Sequence, residues 1–318
     1  MSRRRFLQGV VAGGAYAGLA NVTCALAQAS TAGAASSPMA HGRPSETAQG
    51  AAVLRAAHQI LDAPRILNDP LALRIIGATS RSRLLSAPAL FQGGRSLRAS
   101  VALRSRFAED ELAQAVHRGI RQYVVLGAGL DTFAYRNIHA GSQLRVFEVD
   151  HPATQAWKRQ RLLEAGIAIP DSLTFAPVDF ETQTLADGLN HAGFDASQPA
   201  FFSMLGVVIY LTRPAVMGTL EYIKSLARGS EIVFSYSVPS SALSDTQRLS
   251  REYAAQRVAA RGEPWITYFD PLALKRDLER IGYTHIFDLG PEEANDWYFS
   301  NRTDDLGVDT SRLMQARV

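Results

Sequence analysis

The chain has 318 residues, 47% hydrophobic and 20% charged, with a formal net charge of +3. That length holds one large α/β domain, or a domain plus a cap, and the composition excludes disordered and collagen-like chains. The small charge, with arginines spread along the chain, argues against nucleic acid as a partner. The lone cysteine, Cys24, excludes an intramolecular disulfide, and no cluster of Cys, His, Asp or Glu has metal-ligand spacing.

The first residues, Met1-Ser2-Arg3-Arg4-Arg5-Phe6-Leu7, lead into an uncharged run of small and apolar residues up to Ala20. Ala25-Leu26-Ala27 and Ala27-Gln28-Ala29 then offer cleavage sites. The pattern predicts a twin-arginine export signal over residues 1–29, a low-complexity linker over 30–44 and one globular domain over 45–318. It predicts a periplasmic or secreted protein. The apolar run is too short to span a bilayer and no lipobox precedes Cys24, so no stable membrane anchor is expected. Translation from Met39 is the alternative, and would keep the protein in the cytoplasm.

Within the domain, Ser45 is placed to cap a helix over residues 48–58. A short helix over 71–76 follows Asp69-Pro70. Leu103, Phe107, Leu112 and Val116 recur at near-helical spacing and predict an amphipathic helix. From Tyr123 the pattern changes to alternating β and α units. Strands are expected at 123–126, 144–149, 173–178, 201–204, 231–237, 284–289 and 297–300, with helices at 152–165, 214–227, 245–261 and 271–281. Residues 207–211 read equally as strand or as turn and helix start. This alternation predicts an open, doubly wound sheet with helices on both faces. The helix over 245–261 is too polar to be central and reads as part of a lid over about 240–268.

The strongest local motif is Val124-Val125-Leu126-Gly127-Ala128-Gly129-Leu130-Asp131-Thr132, a buried strand ending in a G-x-G turn. Thr132 stands where a dinucleotide fingerprint has its third glycine, which favours a nucleoside without a pyrophosphate. The next strand ends Phe147-Glu148-Val149-Asp150, and Glu148 and Asp150 alternate onto one face, where a carboxylate binds ribose hydroxyls. A third strand closes Val178-Asp179-Phe180, with a carboxylate suited to an adenine amino group. His151 and Tyr210 are the candidate catalytic residues, each placed near the expected acceptor.

These stretches, with Ser45-Glu46-Thr47-Ala48, Asn68-Asp69-Pro70-Leu71-Ala72 and Arg104-Ser105-Arg106-Phe107, resemble the leucine carboxyl methyltransferase-like family of bacterial S-adenosylmethionine-dependent O-methyltransferases. The resemblance runs from about Ser45 to Asp305. It implies a class I methyltransferase: a Rossmann-like, mostly parallel, seven-stranded α/β sheet with N-terminal helices and a helical lid. The implied cofactor is S-adenosyl-L-methionine and the implied partner a small-molecule acceptor with a carboxylate or hydroxyl. By correspondence, Arg104 pairs with the methionine carboxylate, Gly127 and Gly129 contact the cofactor through backbone, Asp150 holds the ribose, and Asp179 with Phe180 frames the adenine. Three positions depart from the family pattern. Phe133 replaces the usual arginine after L-D-T, Leu205 replaces an acidic residue before Gly206, and Phe180 replaces leucine. The change at Leu205 removes a carboxylate partner for the cofactor ammonium. Two rivals follow: a non-catalytic nucleoside-binding relative, and an NAD-linked oxidoreductase on the same fold.

Overall fold

Strand β1 (Gln122–Leu126) is buried along its whole length, as a near-continuous apolar run must be when helices cover both faces of a sheet. Its alternate residues separate the two cores. Tyr123 and Val125 face the side covered by α4 (Arg95–His117), with Leu103, Phe107 and Leu112. Val124 and Leu126 face the side covered by α7 (Arg213–Lys224) and α9 (Pro271–Ile281), with Val216, Leu220, Leu274 and Leu278. The computed structural model describes residues 45–179 and 182–318. The expected export signal and linker over 1–44, and Phe180, lie outside the described residues.

The sheet has seven strands, completed by β2 (Arg145–Asp150), β3 (Leu173–Pro177), β4 (Phe201–Met204), β5 (Glu231–Tyr236), β6 (His285–Leu289) and β7 (Arg312–Arg317). Their order is β3-β2-β1-β4-β5-β7-β6. The first five strands are parallel and β7 runs antiparallel between β5 and β6. The order reverses between β1 and β4, which leaves a crevice at their C-terminal ends, where open α/β sheets bind ligands. The doubly wound, mostly parallel architecture expected from the sequence is therefore the one observed.

Helices α5 (Pro152–Glu164), α6 (Leu185–His191) and α10 (Pro291–Tyr298) pack on the sheet or its edges, and α8 (Asp245–Ala259) follows β5 without burying a side chain. Helices α1 (Glu46–Leu61), α2 (Ala72–Ile75) and α3 (Ala78–Ser86) form a third, smaller core with Leu130 and Leu162. Ser45 caps α1 as expected, accepting the Ala48 N–H at 3.1 Å. Among the described residues no helix is long and apolar enough to cross a membrane.

Two expectations are corrected. Residues 297–300 are not a strand: Pro291 in the first turn, followed by Glu292 and Glu293, starts α10, which runs through Tyr298. The last strand is β7, where Leu313, Met314, Gln315 and Ala316 are all buried. A strand buried on both faces shows no alternation, and this one has no β-branched residue to mark it. Residues 207–211 form neither strand nor α-helix but a 3-10 turn over Val208–Tyr210.

Candidate active site

The turn after β1 is held from two sides. Gly127 has φ +67° and a Cβ there would collide with Val207, so a glycine is required both by conformation and by the turn after β4. The Gly127 and Ala128 N–H groups both donate to the Val149 carbonyl, at 2.9 and 3.1 Å, and Asp131 N–H donates to the Ala128 carbonyl at 2.7 Å. Gly129 N–H donates to Asp150 Oδ2 at 2.6 Å. Four donors that would cradle a pyrophosphate are thus consumed inside the protein. Such a turn suits a ligand that brings no phosphate.

Asp150 closes β2. Its other oxygen accepts the His151 N–H at 2.7 Å, so both carboxylate oxygens are fixed by backbone donors while each keeps a second lone pair. That geometry fits two adjacent ribose hydroxyls. Burial pushes the Asp150 carboxyl up, against the opposing pull of the two N–H groups. His151 is the N-cap of α5: its Nδ1 accepts the Ala153 N–H at 3.2 Å. With Nδ1 so engaged, a neutral ring carries its proton on Nε2, which is then a donor and not a base.

Glu148 does not join Asp150 at the strand end. It is fully buried, with Lys158 Nζ 2.7 Å from Oε2 and the Tyr135 hydroxyl donating at 3.3 Å. Period two gives both carboxylates one face, but Lys158 of α5 draws Glu148 under the helix. Asp179 follows β3, and its carbonyl accepts the Thr182 and Gln183 N–H groups at 3.0 and 2.8 Å.

Arg104 projects from α4 toward the end of β4. Its guanidinium lies against Gly206, whose φ is +74° and where a Cβ would collide with it. Among the described residues it makes no hydrogen bond or ion pair. Burial and the charge of Arg55 pull it down to about 10, while Tyr210 and Asp131 oppose the shift. An arginine with bare backbone beside it and no carboxylate of its own keeps its donors available for a planar, bidentate anion. Leu205, next to Gly206, packs on the apolar core instead of offering a charge, and Phe133 is likewise buried, edge-on to Tyr123 at 5.1 Å.

Two groups of residues not singled out individually by their sequence positions brace this site. Arg55 of α1 donates to Asp69 Oδ2 at 2.7 Å and to the Leu130 carbonyl at 2.6 Å, and Thr132 donates to the same Asp69 oxygen at 2.6 Å. Burial disfavours the Asp69 charge, but Arg55, Arg136 and the Thr132 hydroxyl outweigh it and hold the carboxyl below its usual range. The second is Glu263, which is buried and accepts from Ser45 Oγ at 3.1 Å, Glu46 N–H at 2.9 Å and Thr47 Oγ1. It pins residues 262–268 across the start of α1. The far end of that strap is held by the Ile209 carbonyl, which accepts from Ile266 N–H at 2.8 Å and Thr267 N–H at 3.3 Å. Ala48 completes the rim, its Cβ 3.1 Å from where Gly129 would carry one.

A sequence model of leucine carboxyl methyltransferases matches residues 48–224, more than half of the chain and all of the site just described except the strap and residues 45–47 that hold it. The chain belongs to the leucine carboxyl methyltransferase family. It is 38% identical over 206 residues to the Bacillus subtilis (strain 168) protein named "Putative S-adenosyl-L-methionine-dependent methyltransferase YktD", covering 64% of this chain and 67% of the relative. A Mycolicibacterium paratuberculosis relative, named "Putative S-adenosyl-L-methionine-dependent methyltransferase", is 31% identical over 245 residues, 71% of this chain and 76% of the relative. Among solved structures, a Thermobifida fusca YX protein described as a "putative methyltransferase" superimposes with TM-score 0.52 at 19% identity, covering 88% of this chain and 96% of the other. That likeness supports the fold. Within this leucine carboxyl methyltransferase family member, Arg104, Gly127, Gly129 and Asp150 converge on one crevice, Tyr210 is within electrostatic reach of Arg104, and Glu148 and the His151 ring have structural partners.

Proposed function

We propose that this methyltransferase passes the methyl group of S-adenosylmethionine to an oxygen of a small acceptor held beneath residues 262–268, and that the acceptor oxygen belongs to a carboxylate. When bound, the cofactor supplies a methyl group on a positively charged sulfur. The observation that carries the reading is Arg104: a half-buried guanidinium without a protein partner, set against the bare backbone of Gly206 at the same strand ends as Asp150. The pair is matched to a ligand with a carboxylate at one end and a ribose at the other. The names of the relatives, each an S-adenosyl-L-methionine-dependent methyltransferase, agree with that match.

Methyl transfer of this kind is an in-line displacement, so the protein's part is to position the acceptor and exclude water. A carboxylate acceptor needs no general base, whereas a hydroxyl needs one. His151, the base nearest the ribose carboxylate in sequence, is committed to capping α5. This favours the carboxylate. Tyr210, within electrostatic reach of Arg104, is placed to orient the methionine end or the acceptor.

Calorimetric titration of the full chain with S-adenosylmethionine and with S-adenosylhomocysteine tests the reading, with NADH as the competing ligand. Both adenosyl compounds are expected to bind and NADH is not. A folded protein that binds neither, or binds NADH instead, would refute it.

A further inference from the structure

Residues 262–268 bridge the crevice like a strap. One end is fixed by Glu263 to the first turn of α1, the other by the Ile209 carbonyl beside Tyr210. Around the opening the contacts close into a ring: Ala48 against Gly129, Gly127 against Val207, Gly206 against Arg104. Between the two pinned ends sits Trp265. Its indole nitrogen is shut off from solvent, yet among the described residues it has no hydrogen-bond partner. A buried N–H without an acceptor is costly, and native proteins rarely keep one without a use for it. Other buried atoms in that condition belong to side chains with a partner elsewhere, such as Glu148 and Lys158, which face each other as an ion pair, and Gln49, whose amide nitrogen donates to the Ile76 carbonyl.

We infer that the Trp265 indole N–H is the donor that receives an oxygen of the methyl acceptor, making Trp265 a specificity-determining residue of the acceptor site. The assignment rests on the proposed methyltransferase reading. Arg104 and Asp150, on the sheet side of the ring, match the two polar ends of the cofactor, so the strap side is left for the acceptor. Trp265 Nε1 can donate one hydrogen bond and accept none. It therefore selects an acceptor that presents an oxygen lone pair, and its indole surface favours an apolar body behind that oxygen. A site built to pair a ligand's polar atom discriminates strongly against ligands that lack it.

The test uses the full chain with its tryptophans labelled at the indole nitrogen. The sequence has three, so three N–H resonances are expected, and Trp265→Phe assigns the one that disappears. The probes are S-adenosylhomocysteine, then hexanoate added to that complex, with hexane as the apolar control. Hexanoate is expected to move the Trp265 resonance downfield and slow its exchange with water, while S-adenosylhomocysteine alone and hexane leave it in place. Trp265→Phe is expected to melt no lower than the parent, bind S-adenosylhomocysteine within about twofold of it, and weaken hexanoate about tenfold, the loss of one charge-assisted hydrogen bond. Full movement with S-adenosylhomocysteine alone would overturn the inference, since the donor would then serve the cofactor. So would indole exchange as fast as free tryptophan, or no response to hexanoate up to its solubility limit. Failure of S-adenosylhomocysteine to bind at all, read by calorimetry, would strike the underlying methyltransferase reading instead.

Discussion

Arg104 is unusual because the protein does not satisfy it. Arg55 has Asp69, Arg98 has Asp62 and Arg136 has Glu109, whereas the guanidinium beside Gly206 has no carboxylate among the described residues. This separates binding from stability. Removing a buried, paired arginine strands its carboxylate, but removing Arg104 strands nothing. Arg104→Met is therefore expected to weaken S-adenosylhomocysteine binding at least tenfold, about 1.4 kcal/mol, without lowering the melting temperature. Calorimetry and a thermal melt on the same preparation check it. A variant that melts several degrees lower and binds normally would make Arg104 a packing residue. The same residue shows what a sequence discloses. R-S-R-F is one helical turn in which Arg104 and Arg106 look equivalent. Spacing alone cannot separate them; the family resemblance points to Arg104, and the fold gives the physical reason, with Arg106 turned outward to Asp110 at 2.9 Å and Arg104 inward to the crevice.

At the scale of elements, local spacing made most of the crevice legible. The strand–turn–strand unit that carries Gly127, Gly129 and Asp150 is contiguous, and its hydrogen bonds join residues about one strand apart. Glu148 was harder to read because its partner, Lys158, belongs to the following helix, and helix rotation is not written in strand alternation. That ion pair makes a pH-dependent element. Burial pushes Glu148 up from its usual 4.5 to about 7, with Lys158 opposing the rise. Between those values the native chain holds a proton that the unfolded chain has released. Stability therefore falls as pH rises through that window and levels off above it. Changing Glu148 alone would leave Lys158 buried without a counter-charge, at a cost of about 3–5 kcal/mol, so the informative variant is Glu148→Gln with Lys158→Met. Melting temperatures measured from pH 5 to 8 are expected to show the parent losing ground to the double variant as pH rises to neutrality, and parallel curves beyond. A constant difference across the range would mean that Glu148 does not titrate there.

At the scale of the whole molecule, the segment that borders the crevice has little apolar anchoring. Helix α8 buries no side chain, whereas α7 buries Ala215, Val216, Leu220 and Ile223 among others. What holds α8 is polar: the Ser244 and Gln247 capping box, Arg251 on the Val238 carbonyl, and Arg251 over the Tyr268 ring at 4.8 Å. The strap that follows depends on Glu263, whose partners lie as far as 218 positions away, which is why a sequence read by local spacing marks the lid but not its fastening. Elements with few buried apolar contacts open at low free energy, and ligand-gating segments are drawn from them. Amide hydrogen exchange is therefore expected to be faster in α8 than in α7, with S-adenosylhomocysteine slowing exchange in residues 262–268 and in the first turn of α1 together. Glu263→Ala removes the acceptor shared by Ser45, Glu46 and Thr47, and should uncouple the two segments so that ligand no longer protects them jointly. Equal protection of α8 and α7 in the free protein would mean that the lid is part of the rigid core, and ligand would then have to reach the crevice by another route.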